Sequence, residues 1–147
     1  MVPIRSFRGE HAFLSSFYPA LITIETQWGT FEFPTAEHAF QAAKSLDPNV
    51  WALMARMTTP GLAKKFGSRL ILRPDWDQVK VRIMTEIVIL KFNQHPYLMK
   101  MLQDTAPREL IEENTWGDTF WGVCDKKGEN YLGKILMHIR DNTPVPK

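Results

Sequence analysis

The sequence predicts an α+β fold, mostly helical, with one small β-hairpin, all within a single domain over residues 1–147. Three observations carry this. Val79, Ile83, Ile87 and Leu90 recur at helical spacing behind Pro74, which marks one long helix. Two short β-branched and aromatic runs, Leu21–Glu25 and Thr30–Phe33, flank Gln27-Trp28-Gly29 and mark a hairpin. Elsewhere Pro and Gly punctuate short apolar segments, with no repeat, linker or low-complexity stretch.

Taken in order, the hairpin leads into Pro34-Thr35, with Thr35 the N-cap of a first helix that the pattern extends to about Leu46. Asp47-Pro48 ends that helix and opens the next, about Asn49–Met57. Thr58-Thr59-Pro60-Gly61 is a break with Thr59 as cap, and a short helix over Leu62–Phe66 stops at Gly67. The long helix spans about Asp75–Asn93, and Pro96 opens another over Tyr97–Gln103. Glu109–Glu112 is predicted as a short strand, and residues 114–130 as a loop rich in Trp, Gly and Asp. A last helix over Tyr131–Arg140 carries Leu132, Ile135, Leu136 and Ile139 on one face. The end of the chain, 142–147, has two Pro and reads as flexible.

Composition narrows the function classes. A chain of 147 residues that is 44% apolar can bury a core of its own. A formal net charge of +2 tolerates a phosphate ligand or a nucleic acid without demanding either. The single Cys124 excludes an internal disulfide and a thiol-based metal centre, and His11, His38, His95 and His138 show no ligand spacing, so no metal is expected. No apolar run approaches the ~18 residues of a membrane span, and Met1–Arg5 lacks a signal-peptide core. A cytoplasmic protein without a membrane association is the expectation.

The most informative segment is Pro34–Lys44. On a helix, Glu37, Phe40, Gln41 and Lys44 fall at i, i+3, i+4 and i+7, placing a carboxylate, a ring, an amide and an amine on one stripe. A structural helix puts apolar groups there, so the stripe points to a polar site facing inward, with Gln41 a substrate-binding candidate. His38 sits about 100° around from Glu37. It is either a core histidine or a group that orients or contacts a ligand. The loop Trp116-Gly117-Asp118-Thr119-Phe120-Trp121-Gly122 concentrates two Trp and a Phe beside an acid. It is either a loop folded onto the core or one wall of a planar-ligand site, with Trp121 stacking, Gly122 allowing close approach and Asp118 reading a polar group. In Phe13–Pro19, Phe17 and Tyr18 are either a core plug or a sandwich for a base, with Ser15 and Ser16 reaching phosphate or ribose hydroxyls. Trp76 is another candidate stacking ring. Arg69, Arg73 and Lys80 either clamp a phosphate or form a basic helix start, and Lys64-Lys65 reads as solvated surface.

Four segments in this order resemble the NADAR family, also called YbiA-like: Phe13–Pro19, Thr35–Lys44, Arg73-Pro74-Asp75-Trp76, and Asp118–Gly122 followed by Gly128–Met137. The likeness runs from about Phe7 to Arg140. It implies a compact, largely helical fold, N-glycosidase chemistry, no metal and no cofactor. It also brings Asn130 of the last segment in as a substrate-binding candidate. Relatives cleave ribose 5-phosphate from an amino-pyrimidine in riboflavin intermediates, and others remove ADP-ribose from guanine in nucleic acid. The family usually has Asn where this chain has Ser16, which offers fewer hydrogen bonds and bears on substrate preference.

The chemistry follows from the reaction. Cleaving an N-glycoside builds positive charge on the anomeric carbon, and a fixed carboxylate stabilises it. Glu37 is the candidate, for that task or for protonating the leaving nitrogen or activating water. Lys44 is a candidate amine for a Schiff base with the sugar, or an electrostatic partner of Glu37 or of phosphate. Asp118 is the second acid, placing water or sugar hydroxyls. The partner expected is a small nucleotide-like substrate, either a ribosylamino-pyrimidine phosphate or ADP-ribosyl-guanine, the latter also in modified nucleic acid. Two other classes compete: a sensor that binds ADP-ribose or a related metabolite without cleaving it, and a helical scaffold with a Trp-rich partner surface, which full burial of Trp116 and Trp121 against the protein's own core would favour.

Overall fold

The structure, a computed structural model, describes residues 1–144. It has seven helical segments and, among the described residues, one two-stranded antiparallel sheet, as the α+β expectation requires. The chain divides into two compact units, one formed by Ser16–Gln94 and the other by Met1–Ser15 with the chain from His95 onward.

The first unit opens on the hairpin. Strand β1, Pro19–Thr26, pairs with β2, Gly29–Thr35, in a register that sets Ile24 opposite Phe31 and Ile22 opposite Phe33. Gly29, at φ +118, makes the turn, braced by Thr26, whose hydroxyl accepts from the Trp28 N–H at 3.0 Å and donates to the Gly29 carbonyl at 2.9 Å. Ile22 and Phe33 are wholly buried. Trp51 packs edge-on against Phe31, Phe33 and Trp28 at ring separations of 5.4–5.7 Å, tying the hairpin to the next helices.

Helix α1, Ala36–Ala42, is shorter than the sequence pattern predicts. It stops because Ser45 and Asp47 take over the backbone: the Ser45 hydroxyl accepts from the Asp47 N–H, and the Asp47 carboxylate caps α2, Pro48–Ala55. Lys44 therefore lies just past the helix, in a tightened turn where its N–H donates to the Gln41 carbonyl at 3.3 Å. All seven residues of α1 are buried, and it packs against both strands and against α2, α3 (Pro60–Gly67) and α4 (Trp76–Gln94). Thr35 and Thr59 cap α1 and α3 as expected. On α4 the buried face is Trp76, Val79, Met84, Ile87, Val88, Lys91 and Phe92, so Ile83 and Leu90 sit at its margin. Gln94 closes α4 onto β1 by pairing its side-chain amide with both backbone groups of Thr23 at 2.9 Å.

The second unit begins with a 3-10 helix over Gly9–Leu14 that sequence patterning does not reveal. Glu109–Glu112 is not a full strand. It makes one parallel bridge, Ile4 to Leu110, with hydrogen bonds of 2.8 Å from the Ile4 N–H to the Glu109 carbonyl and from the Ile111 N–H to the Ile4 carbonyl. Helices α5, Pro96–Asp104, and α6, Tyr131–Asn142, pack together. Arg140 is buried and donates to the Arg108 carbonyl at 2.6 Å and to Asp141 at 2.8 Å. Asn142 closes α6, and the Thr143 and Pro144 carbonyls accept from Gln103 at 3.3 Å; the rest of the segment read as flexible, 145–147, lies outside the described residues.

Candidate active site

Helix α1 has no solvent face, so each polar side chain on it must be matched inside the protein. Glu37 is matched on both oxygens. The Ser16 hydroxyl donates to Oε2 at 3.0 Å and the Gln41 amide donates to Oε1 at 2.9 Å. Two donors, one on each oxygen, fix the plane of the carboxyl group. The Glu37 N–H also donates to the Ser16 carbonyl at 3.0 Å, so the segment ahead of the hairpin is tied to the start of α1.

Lys44 is half-buried. Burial pushes its amine below the ordinary lysine value, Glu37 pulls it back up, and the nearby Lys64 pushes it further down. A depressed amine has a larger neutral fraction and is a better nucleophile at neutral pH. The Lys44 carbonyl accepts from the Arg73 N–H at 2.8 Å, which fixes the backbone that carries the amine.

Phe40, in the same stripe, is buried and lies 5.1 Å from the ring of Trp76. Trp76 is therefore packed against α1 and is itself only 6% exposed. Phe17 is 39% exposed, with the Lys64 ammonium 5.9 Å from its ring centre. Tyr18 is half-buried, and the Lys91 amine lies 5.8 Å from its ring. Lys91 is 2% exposed on α4, and burial pushes its amine down to about 7.

His38 has a structural task. It is wholly buried, with the Thr35 hydroxyl 2.7 Å from Nδ1 and the Met57 carbonyl 2.9 Å from Nε2. The carbonyl can only accept, so Nε2 carries the proton and Nδ1 accepts from Thr35. Burial lowers its pKa, in keeping with a neutral ring. This geometry favours the core reading of His38 over contact with a ligand. Arg73 is likewise engaged, pairing with Asp75 at 2.6 and 3.1 Å, while Lys80 reaches Asp77 at 3.5 Å and Arg69 is exposed. The structure does not gather these three into a phosphate clamp.

The remaining candidates, Ser15, Asp118, Trp121, Gly122 and Asn130, belong to the second unit. Ser15 caps the 3-10 helix through its N–H, which donates to the Ala12 carbonyl at 2.9 Å. Asp118 builds its own loop: Oδ1 accepts from the Phe120 and Trp121 N–H groups at 3.1 and 2.9 Å, an Asx turn. The Phe120 and Trp121 carbonyls then accept from Tyr131 and Leu132 at 3.2 and 3.0 Å, satisfying the first donors of α6. Phe120, Trp121 and Tyr131 form one aromatic cluster at ring separations of 4.7–6.4 Å. Asn130, at φ +53, donates to the Leu110 carbonyl at 2.9 Å and accepts from the Glu112 N–H at 3.0 Å, which holds α6 to the 110–112 segment. Gly122 is required by packing, because a Cβ there would strike the Glu112 carbonyl and stand 2.8 Å from Asn114 Nδ2. Trp116 is 57% exposed and Trp121 half-buried, so the burial that would favour the scaffold reading is not seen.

Sequence reasoning offered Ser16 as a contact to phosphate or ribose and not as a partner of Glu37, gave Gly67 only as a helix stop and Lys64 only as solvated surface, and missed Lys91. Ser16 had a visible signal, since it is the departure in a motif that otherwise matches. The other three are set by helix packing across α1, α3 and α4, which no local pattern carries.

Among the described residues no group of three or more His, Cys, Asp or Glu is gathered for a metal ion, and no helix is long and apolar enough to cross a membrane. The family model described as the NADAR domain matches residues 5–143, across both units. The chain belongs to the NADAR family. This NADAR chain is 37% identical over 118 residues to the N-glycosidase YbiA of Escherichia coli K12, an alignment covering 78% of the chain and 73% of YbiA. It is 40% identical over 134 residues to the N-glycosidase Npun_R5314 of Nostoc punctiforme, covering 86% and 82%. It is also 36% identical to the riboflavin biosynthesis protein VVA0006 of Vibrio vulnificus, covering 89% of the chain but 35% of that longer protein. The NMR structure of E. coli YbiA superposes with a TM-score of 0.80 at 33% identity, over 95% of the NADAR chain and 82% of YbiA. The mostly helical fold with its small sheet is thus the YbiA fold.

Proposed function

We propose that the chain is an N-glycosidase that hydrolyses the C–N bond between ribose and an amino-pyrimidine or guanine base in a phosphorylated riboside. Its first substrate class is the ribosylamino-pyrimidine phosphate of riboflavin biosynthesis. The relatives' names supply the reaction class and the riboflavin connection. The observation that carries the assignment to residues is Glu37, buried and held on both oxygens, on one short segment with an amine of depressed basicity, Lys44. A module that only bound its ligand needs no such pair.

The chemistry runs through these two groups. As the bond from the anomeric carbon to the base nitrogen breaks, its electron pair leaves with the base, and positive charge develops on the carbon and ring oxygen. Glu37, fixed before the reaction begins, stabilises that charge without reorganising. The Lys44 amine forms the new bond to the anomeric carbon. Ring opening gives an imine between Lys44 and the sugar, the base takes up a proton, and water hydrolyses the imine to return the free amine and the sugar phosphate. Asp118 takes no step here, since its Oδ1 is engaged by two backbone N–H groups.

The test is mass spectrometry of products from a panel: a ribosylamino-pyrimidine phosphate, an ADP-ribosylated guanine oligonucleotide, free ADP-ribose and NAD. Release of the free pyrimidine supports the reading. Release of unmodified guanine moves the substrate to the ADP-ribosyl branch. Tight binding without turnover on any member replaces the enzyme with a sensor.

A further inference from the structure

Gln41 is the one polar side chain of α1 that is only half matched. Its amide nitrogen donates to Glu37 Oε1 at 2.9 Å, but its Oε1 is buried and accepts no hydrogen bond from any described residue. The amide cannot be turned over to relieve this. Glu37 offers an acceptor, so Nε2 must face it and the carbonyl must point the other way. It points at Gly67, the last residue of α3. A Cβ on Gly67 would fall on Gln41 Oε1 and stand 2.7 Å from Gln41 Cδ and 3.0 Å from its Cβ. Gly67 has no left-handed backbone that would ask for glycine, so the requirement is one of space alone. In the place of a side chain, a Cα–H of Gly67 faces the amide oxygen, a weak donor to an acceptor that lacks a strong one.

We propose that Gly67 and Gln41 form one positioning unit for Glu37. The missing side chain at 67 leaves room for the conformation in which the Gln41 amide reaches Glu37, and that amide, opposite the Ser16 hydroxyl, fixes the carboxyl group toward the reacting carbon. Gln41 then acts through Glu37 and touches no substrate, in place of the substrate contact its position in the stripe predicts. Other groups that bear on Glu37 are Lys44, beyond the end of α1, and His38 on α1 itself. The proposal rests on Glu37 being the reacting carboxylate.

The experiment measures kcat and KM, on the substrate that the wild type turns over, for Gln41→Met, Gln41→Ala, Gly67→Ala, the Gln41→Ala/Gly67→Ala pair and Glu37→Gln, with the thermal midpoint of each. Methionine keeps the length of Gln41 and removes the amide. Gln41→Met and Gly67→Ala are each expected to lower kcat about tenfold, the scale of one well-placed hydrogen bond, with KM within about twofold. In the Gln41→Ala background, adding Gly67→Ala is expected to change kcat by less than about twofold, because the clash with the amide has gone and only the tight 3.0 Å contact between the two Cβ atoms remains. If Gly67→Ala fails to fold alone yet folds beside Gln41→Ala, the clash is likewise demonstrated. An equal loss from Gly67→Ala in both backgrounds, or wild-type kcat in Gln41→Met, overturns the proposal. Glu37→Gln reads separately. Full turnover there removes the assignment of Glu37, whereas an inactive Glu37→Gln beside a fully active Gln41→Met leaves Glu37 in place and removes only the positioning unit.

Discussion

Ser16 is joined to Glu37 twice, its carbonyl accepting the Glu37 N–H and its hydroxyl donating to Glu37 Oε2, both at 3.0 Å. One residue therefore sets both where α1 begins and how its carboxyl group is turned. Removing the hydroxyl spares the first link and cuts the second. Ser16→Ala is expected to keep the fold at a cost of about 1 kcal/mol and to lower kcat roughly tenfold with little change in KM. Steady-state kinetics with a urea titration separates the two effects. A loss confined to stability would make the hydroxyl a packing contact and nothing more.

Lys44 gives a covalent prediction. If its amine bonds to the sugar, sodium borohydride added during turnover reduces the imine to a stable secondary amine. The protein gains the mass of the reduced sugar phosphate on the peptide that carries Lys44, and Lys44→Arg shows no such gain. Absence of the adduct under turnover leaves Lys44 with an electrostatic part only.

Lys91 predicts a pH dependence of stability. Its amine sits near 7 in the native protein and near the ordinary lysine value of 10.5 in the unfolded chain. Below pH 7 both states carry the charge and the burial penalty is present in full. Between pH 7 and 10.5 the native state sheds its proton while the unfolded state keeps it, so stability rises with pH across that window. At about 1.4 kcal/mol per pH unit, the gain from pH 7 to 9 is about 2–3 kcal/mol from this residue. Urea midpoints at pH 6, 7 and 9 are expected to show that rise in the wild type and to lose it in Lys91→Met, which is also expected to be the more stable of the two at pH 6. Parallel profiles for the two proteins would contradict the assignment.

Gly133 is the second-unit counterpart of Gly67. A Cβ there would strike the Leu110 carbonyl and both side-chain polar atoms of Asn130, the residue that pins α6 to the 110–112 segment. Gly133→Ala is expected to cost about 2–4 kcal/mol, the scale of a forced backbone shift with lost buried hydrogen bonds, read as a drop in thermal midpoint. Gly61→Ala, open to a Cβ with only the Thr59 hydroxyl 3.9 Å away, is the control and is expected to stay near wild type.

Much of this was legible from local pattern. Thr35 and Thr59 read as caps and cap their helices, because capping depends on a side chain and a backbone three residues on. The stripe of Glu37, Phe40 and Gln41 read as an inward polar face and is buried. The end of α1 was misread because Ala43 and Lys44 favour helix, and only the hydrogen bonds of Ser45 and Asp47 take the chain away. His38 read as either core or contact, and its ring nitrogens are both bonded within the protein, to a residue three back and to a carbonyl nineteen on. Asp118 reads as a ligand group because its type and aromatic neighbours suit one, and Asn130 because of the family resemblance. Their partners in the structure are backbone groups, which a motif cannot distinguish from a substrate. Gly67 was legible only as a helix stop, since its closeness to Gln41 arises where α3 crosses α1.

The central claim is that Glu37, held by Ser16 and Gln41, stabilises the breaking glycosidic bond. Single-turnover release of free base from a ribosylamino-pyrimidine phosphate, compared between wild type and Glu37→Gln, tests it most directly. The variant keeps the size of the side chain and removes the charge. A fall of about 10²–10³-fold in rate, with the variant still folded and still binding substrate, is the predicted result for a charge-stabilising group. Base release at the wild-type rate by Glu37→Gln would contradict the account.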